Sequence, residues 1–116
     1  MSYSNQQLKQ IAQTNPQELV RIINGHYSSD IKTIALAVDI LGEEVSDEAI
    51  VLPIIRRFLK HVHVLIRESA ITCAGTFYMG KTLPEDIADR LKIIVKADPS
   101  NDLKDLAEDT LKDFKR

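Results

Sequence analysis

One pattern occurs three times in this sequence: an aliphatic residue, a basic residue, any two residues, then alanine. It reads Ile31-Lys32-x-x-Ala35, Ile66-Arg67-x-x-Ala70 and Leu103-Lys104-x-x-Ala107, at spacings of 35 and 37 residues. Repetition at a near-constant period of this length points to stacked helical hairpins, because one hairpin cannot bury its apolar face alone and a neighbour must cover it. The segments before each copy align as well. Leu19, Ile22 and Ile23 stand 12, 9 and 8 residues before Ile31, Leu91, Ile94 and Val95 hold the same offsets from Leu103, and Ile55, Phe58 and Leu59 match with a one-residue shift.

Apolar residues recur at helical spacing along nearly the whole chain, and the interruptions fall at residues 25–29, 43–47, 61–63, 80–83 and 98–101. The expected helices are 16–24, 30–43, 47–61, 64–79, 84–97 and 101–115, after a short leading helix at about 4–13. They pair into hairpins at about 16–43, 46–80 and 84–116 of a single domain spanning 1–116. Asp30, Ser46 and Asn101 or Asp102 offer capping oxygens, and Pro16 and Pro84 suit a first helical turn, where a missing N–H costs nothing. Four Gly, four Pro, six Phe and Tyr and no Trp leave little of the turn and aromatic content of an all-β chain.

The triplicated signature, with Leu52-Pro53 in the first helix of the middle pair, resembles that of the HEAT-repeat family over about residues 16–116. The resemblance implies an all-α fold, a short right-handed α-solenoid of three HEAT-like hairpins, and says little of function. It also implies that Lys32, Arg67 and Lys104 pair with acidic residues of adjacent repeats.

Little in the sequence suggests catalysis. There is no Gly-rich phosphate loop and no Gly-x-Ser-x-Gly elbow, and Cys73 lies in an apolar helical stretch where a buried structural thiol is expected. His61 and His63 sit in a turn with no Cys or carboxylate at ligand spacing, and the His-Glu dipeptides of iron-binding HEAT-like enzymes do not occur. No cofactor or metal is expected. The polar N-terminal segment and the short apolar runs predict a cytoplasmic chain without a membrane span. A net charge of −2 makes nucleic acid an unlikely partner, although Arg56, Arg57, Lys60 and Arg67 form a local basic patch that carries the alternative reading, a nucleic-acid-binding HEAT-like module.

The chain is therefore expected to be a non-catalytic protein-binding module, a small dedicated binder or inhibitor of the kind exemplified by bacterial immunity proteins that neutralise a toxin. A helical wheel locates its docking face. With the aliphatic residue of each signature as position zero, positions four, seven, eight and eleven also face the core, and positions two, six, nine and thirteen face away. Those outward stripes are Thr33, Ala37, Ile40 and Glu44; Glu68, Thr72, Gly75 and Met79; and Asp105, Asp109, Lys112 and Arg116. Tyr78 and Met79 are the expected anchors, with Ile40, Glu44, Glu68, Thr72, Asp105 and Asp109 around them.

Overall fold

The computed structural model of the chain describes residues 3–27 and 29–114. Among the described residues there are seven helices and no strand: α1 (Asn5–Thr14), α2 (Pro16–Ile23), α3 (Ile31–Glu44), α4 (Glu48–Phe58), α5 (Val64–Phe77), α6 (Glu85–Ala97) and α7 (Asn101–Asp113). Each lies within a few residues of its predicted position, the leading helix included. Ser28, in the first predicted turn, and Arg116, at the end of the third stripe, lie outside the described residues.

The helix starts are set by short side chains, although often one residue away from the expected cap. Ser4 and Gln7 form a reciprocal capping box on α1. Asp47 rather than Ser46 caps α4, accepting from Ala49 N–H, and Ser100 rather than Asn101 or Asp102 caps α7, accepting from Leu103 N–H. Pro16 opens α2 as expected, whereas Pro84 stands one position before α6. At the start of α5 the cap is His63, whose Nδ1 accepts from Leu65 N–H, while His61 Nδ1 accepts from His63 N–H. Both histidines of the His-x-His turn thus spend a ring nitrogen on the backbone.

The helices contact one another in an ordered series. α1 packs on α3, α3 on α5 and α5 on α7, while α2, α4 and α6 pack against α3, α5 and α7 respectively. The shortest dimension, 19 Å, is that of two helix layers. α3 and α5 make the most extensive contact of any pair, and small residues explain it. A Cβ built on Gly42 would stand 2.9 Å from Cys73 Sγ and 3.0 Å from both the Cys73 Cα and carbonyl oxygen. The two backbones are therefore as close as a glycine allows. α5 accordingly buries residues around most of its circumference, among them Ile66, Ala70, Ile71, Cys73, Ala74 and Phe77.

The signature residues have the buried positions that the pattern requires in two copies. Ile66, Ala70, Leu103 and Ala107 are fully enclosed, whereas Ile31 and Ala35 are half-buried. Gly42→Ala tests the α3–α5 contact. Alanine gains roughly 1 kcal/mol in helix propensity, but the Cys73 backbone cannot move aside as a flexible side chain would. A net loss of about 1–3 kcal/mol in denaturant unfolding is expected.

Candidate functional site

The structure divides the predicted docking residues into buried and exposed sets. Ile40 is 1% exposed, and Thr33 and Ala37 of the same stripe are buried as well. The cause is α1, which lies along α3 and whose Gln13 Nε2 donates to Glu44 Oε1, the last member of that stripe, at 2.9 Å. Thr33, Ala37 and Ile40 therefore form an internal seam, whereas Glu44 at the end of the stripe stays partly exposed. Tyr78 is also corrected: it is 2% exposed, and its hydroxyl donates to Glu48 Oε2 at 2.7 Å, tying the end of α5 to the start of α4. Burial and the adjoining Glu48 carboxylate raise its pKa. Its neighbour Met79 is 73% exposed, and Glu68, Thr72, Asp105 and Asp109 are exposed too.

Met79 stands at a groove of about 830 Å³ that no sequence pattern had delimited. The groove opens between the C-terminal end of α5, the following turn, α6 and the C-terminal half of α7. Its apolar lining comes from Gly75, Leu83, Ala88, Val95, Leu111 and Phe114. Its charged lining is Lys81, Lys92, Lys96 and Lys112 against Glu108 and Asp113. Lys112 lies 3.7 Å from Glu108 and Lys81 sits over the Phe77 ring, while Lys92 and Lys96 form no ion pair among the described residues. A volume of this size, apolar with a few charged groups converging on it, has the character of a binding site. The signal in the sequence was the i, i+4, i+7, i+8 stripe of Ala88, Lys92, Val95 and Lys96, which the wheel of the second helices alone did not sample.

The basic patch is mostly consumed inside the protein. Arg67 forms a bidentate pair with Asp98, 2.9 Å from Nε to Oδ2, and donates through Nη1 to the His61 and Val62 carbonyls. Arg56 pairs with Asp86 at 2.6 Å, and Arg57 donates to Asn24 and lies over the Phe58 ring. Burial and the surrounding cations lower the pKa of His61. Of the four patch cations, only Lys60 has no ion pair or side-chain hydrogen bond among the described residues.

Arg67–Asp98 is the expected rung between adjacent hairpins, and Lys32 and Lys104 form no ion pair among the described residues. The register explains why. The residue five places before the signature is Asp98 in the third copy but His61 in the second, so Lys32 meets no carboxylate there. The two rung residues are only 13% and 5% exposed. Asp98→Ala is expected to cost about 3–5 kcal/mol by leaving the guanidinium buried and unpaired. Asp86→Ala, which breaks a pair whose members are both about half exposed, should stay within about 1 kcal/mol.

A second polar group is half-buried where α3 meets α5. Asp39 takes a hydrogen bond from Ser69, and its Oδ1 has no hydrogen-bond partner among the described residues. Desolvation, opposed by that bond and reinforced by Glu43 and Glu68, raises its pKa from 3.8 to about 6. Cys73 nearby is fully enclosed, and burial pushes its thiol up to about 12, the reverse of nucleophilic activation. No group of three His, Cys, Asp or Glu side chains among the described residues is placed to hold a metal. No helix there is long and apolar enough to cross a membrane. The chain matches no protein-family model, no curated protein and no solved structure.

The Asp39 carboxyl gives a pH signature. Because its folded pKa lies above the ordinary value, the native state holds the proton more tightly, and stability falls as pH rises from about 4 through 6. Asp39→Asn removes that loss. Its melting temperature should match the wild type near pH 4 and exceed it above pH 7, by the equivalent of about 1–2 kcal/mol after solvent screening of the half-buried group. A constant difference across that range would refute the assignment.

Proposed function

We propose that the chain is a short α-solenoid of three HEAT-like hairpins, preceded by α1, that serves as a non-catalytic protein-binding module. The solenoid reading is supported by the triplicated signature together with the serial contacts α1–α3–α5–α7. The binding reading is carried by one observation: Met79, an exposed unbranched thioether, stands at the mouth of an apolar-lined groove of about 830 Å³. An exposed flexible Met adapts to a partner at little cost, and exposed apolar surface rimmed by charge favours association. Glu68, Thr72, Asp105 and Asp109 continue that face along α5 and α7 as a polar rim, which tunes association rate and specificity more than affinity.

The basic patch gives the nucleic-acid reading little support, since Arg56, Arg57 and Arg67 are already bonded within the protein. A cation held in an internal pair releases few counterions from a phosphate backbone.

Met79→Glu tests the face without loading the fold, because the side chain is exposed. Proteins retained from a lysate of the source cells on immobilised wild type should be lost from the variant, corresponding to at least a tenfold weaker complex, about 1.4 kcal/mol. Arg56→Ala with Lys60→Ala should retain them. The opposite pattern would place the partner on the outer basic surface.

A further inference from the structure

We propose that the groove receives an acidic amphipathic α-helix of a partner protein, laid against α7 as α5 lies on α3; this rests on the protein-binding reading above. The first support is register. Positions eight and eleven of α3 are Asp39 and Gly42, and these meet Ser69 and Cys73 of α5, the next second helix. The same positions in α5 are Ala74 and Phe77, both buried. In α7 they are Leu111 and Phe114, which are only half-buried and line the groove. These positions thus meet the next second helix in α3, are buried in α5, and in α7 border the groove. Ala88 and Val95 of α6 complete the apolar strip, and Ala88 to Lys96 spans about 12 Å, more than two helical turns.

The second support is charge, and it selects among occupants. The chain carries −2 overall, yet four lysines and only two carboxylates line the groove. Lys92 and Lys96 are exposed, one turn apart on the α6 wall, and free of ion pairs among the described residues. Glu108 and Asp113 lie on the α7 side, so the carboxylates of an incoming helix would be directed to α6. A second copy stacked head to tail is a poor match. The outer side of α1 offers Asn5, Gln6 and Gln10 with Lys9, and the carboxylate beside it, that of Glu44, already accepts from Gln13. A two-fold dimer through the groove would set its excess of lysine over carboxylate against the same excess.

The probe is a fluorescein-labelled helical peptide of about 18 residues, roughly 27 Å long, with leucines on one stripe and glutamates flanking it. Sister peptides carry glutamine or lysine in place of glutamate. Fluorescence anisotropy with the full chain should show the glutamate peptide binding at least tenfold tighter than either sister, with affinity falling as salt rises. Lys92→Glu with Lys96→Glu should weaken it at least tenfold and transfer the preference to the lysine peptide. Both lysines are exposed, so the variant should keep the wild-type melting temperature. Equal binding of all three peptides, undiminished in the double variant, overturns the acidic partner while leaving the groove a helix-docking surface. So does sedimentation as a dimer that the double variant disrupts, which would assign the groove to a second copy. If no peptide binds, the acidic-helix proposal fails, and the Met79→Glu retention result decides separately whether the protein-binding reading survives.

Discussion

The approach of α3 to α5 at Gly42 and Cys73 sets the spacing on which the other helices depend. At that separation there is no room for a side chain beyond the α-carbon of one helix. The second helix must therefore offer small residues there, and Ser69, Ala70, Cys73 and Ala74 do so. The same closeness has electrostatic consequences. Asp39 is drawn partly out of water with Ser69 answering one of its oxygens, and the Cys73 thiol is held neutral. Packing explains both perturbations without assigning either residue a chemical task.

The two ends of the series of helices differ, and that difference locates the candidate site. At the N-terminal end α1 covers α3, sealing Thr33, Ala37 and Ile40 and turning glutamines and asparagine outward. Terminal helices with a polar outer side are what a stack of repeats needs for solubility. At the other end, among the described residues, no further helix covers Leu111 and Phe114, although they occupy positions that are buried in the middle copy. The groove thus lies where the serial contacts of α1, α3, α5 and α7 leave Leu111 and Phe114 half-buried.

Helix positions were legible because each depends on local periodicity and on punctuation within a few residues. Caps shifted by one position since neighbouring short polar residues compete for the same N–H, as Ser46 and Asp47 do before α4. The exposure of the predicted docking residues was less legible. A helical wheel reports direction but not neighbours, so it placed Ile40 outward on a helix that α1 covers. Tyr78 was misplaced for a related reason. It follows the last residue of α5, where the wheel no longer governs the backbone, and its hydroxyl finds Glu48, a partner 30 residues away in sequence. Met79, one residue later, is exposed as expected.

Charge counted along the sequence singles out a surface whose cations are mostly bonded already. The densest run of cations, 56–67, reads as the most available one, but availability depends on what each guanidinium already holds. Arg67 is bound to Asp98 and two backbone carbonyls, and Arg56 to Asp86. A ligand would have to displace those bonds before gaining its own, and breaking the nearly buried Arg67 pair strands a charge away from water. Lys92 and Lys96 are diluted in the sequence by acidic neighbours such as Asp89, yet among the described residues they have no pair to break, and they stand beside apolar surface. Next to such surface the local dielectric is lower than in open solvent, so each carries more of its field to an incoming carboxylate. The lysines on α6, though fewer, are therefore more available to an incoming carboxylate than the arginines of 56–67.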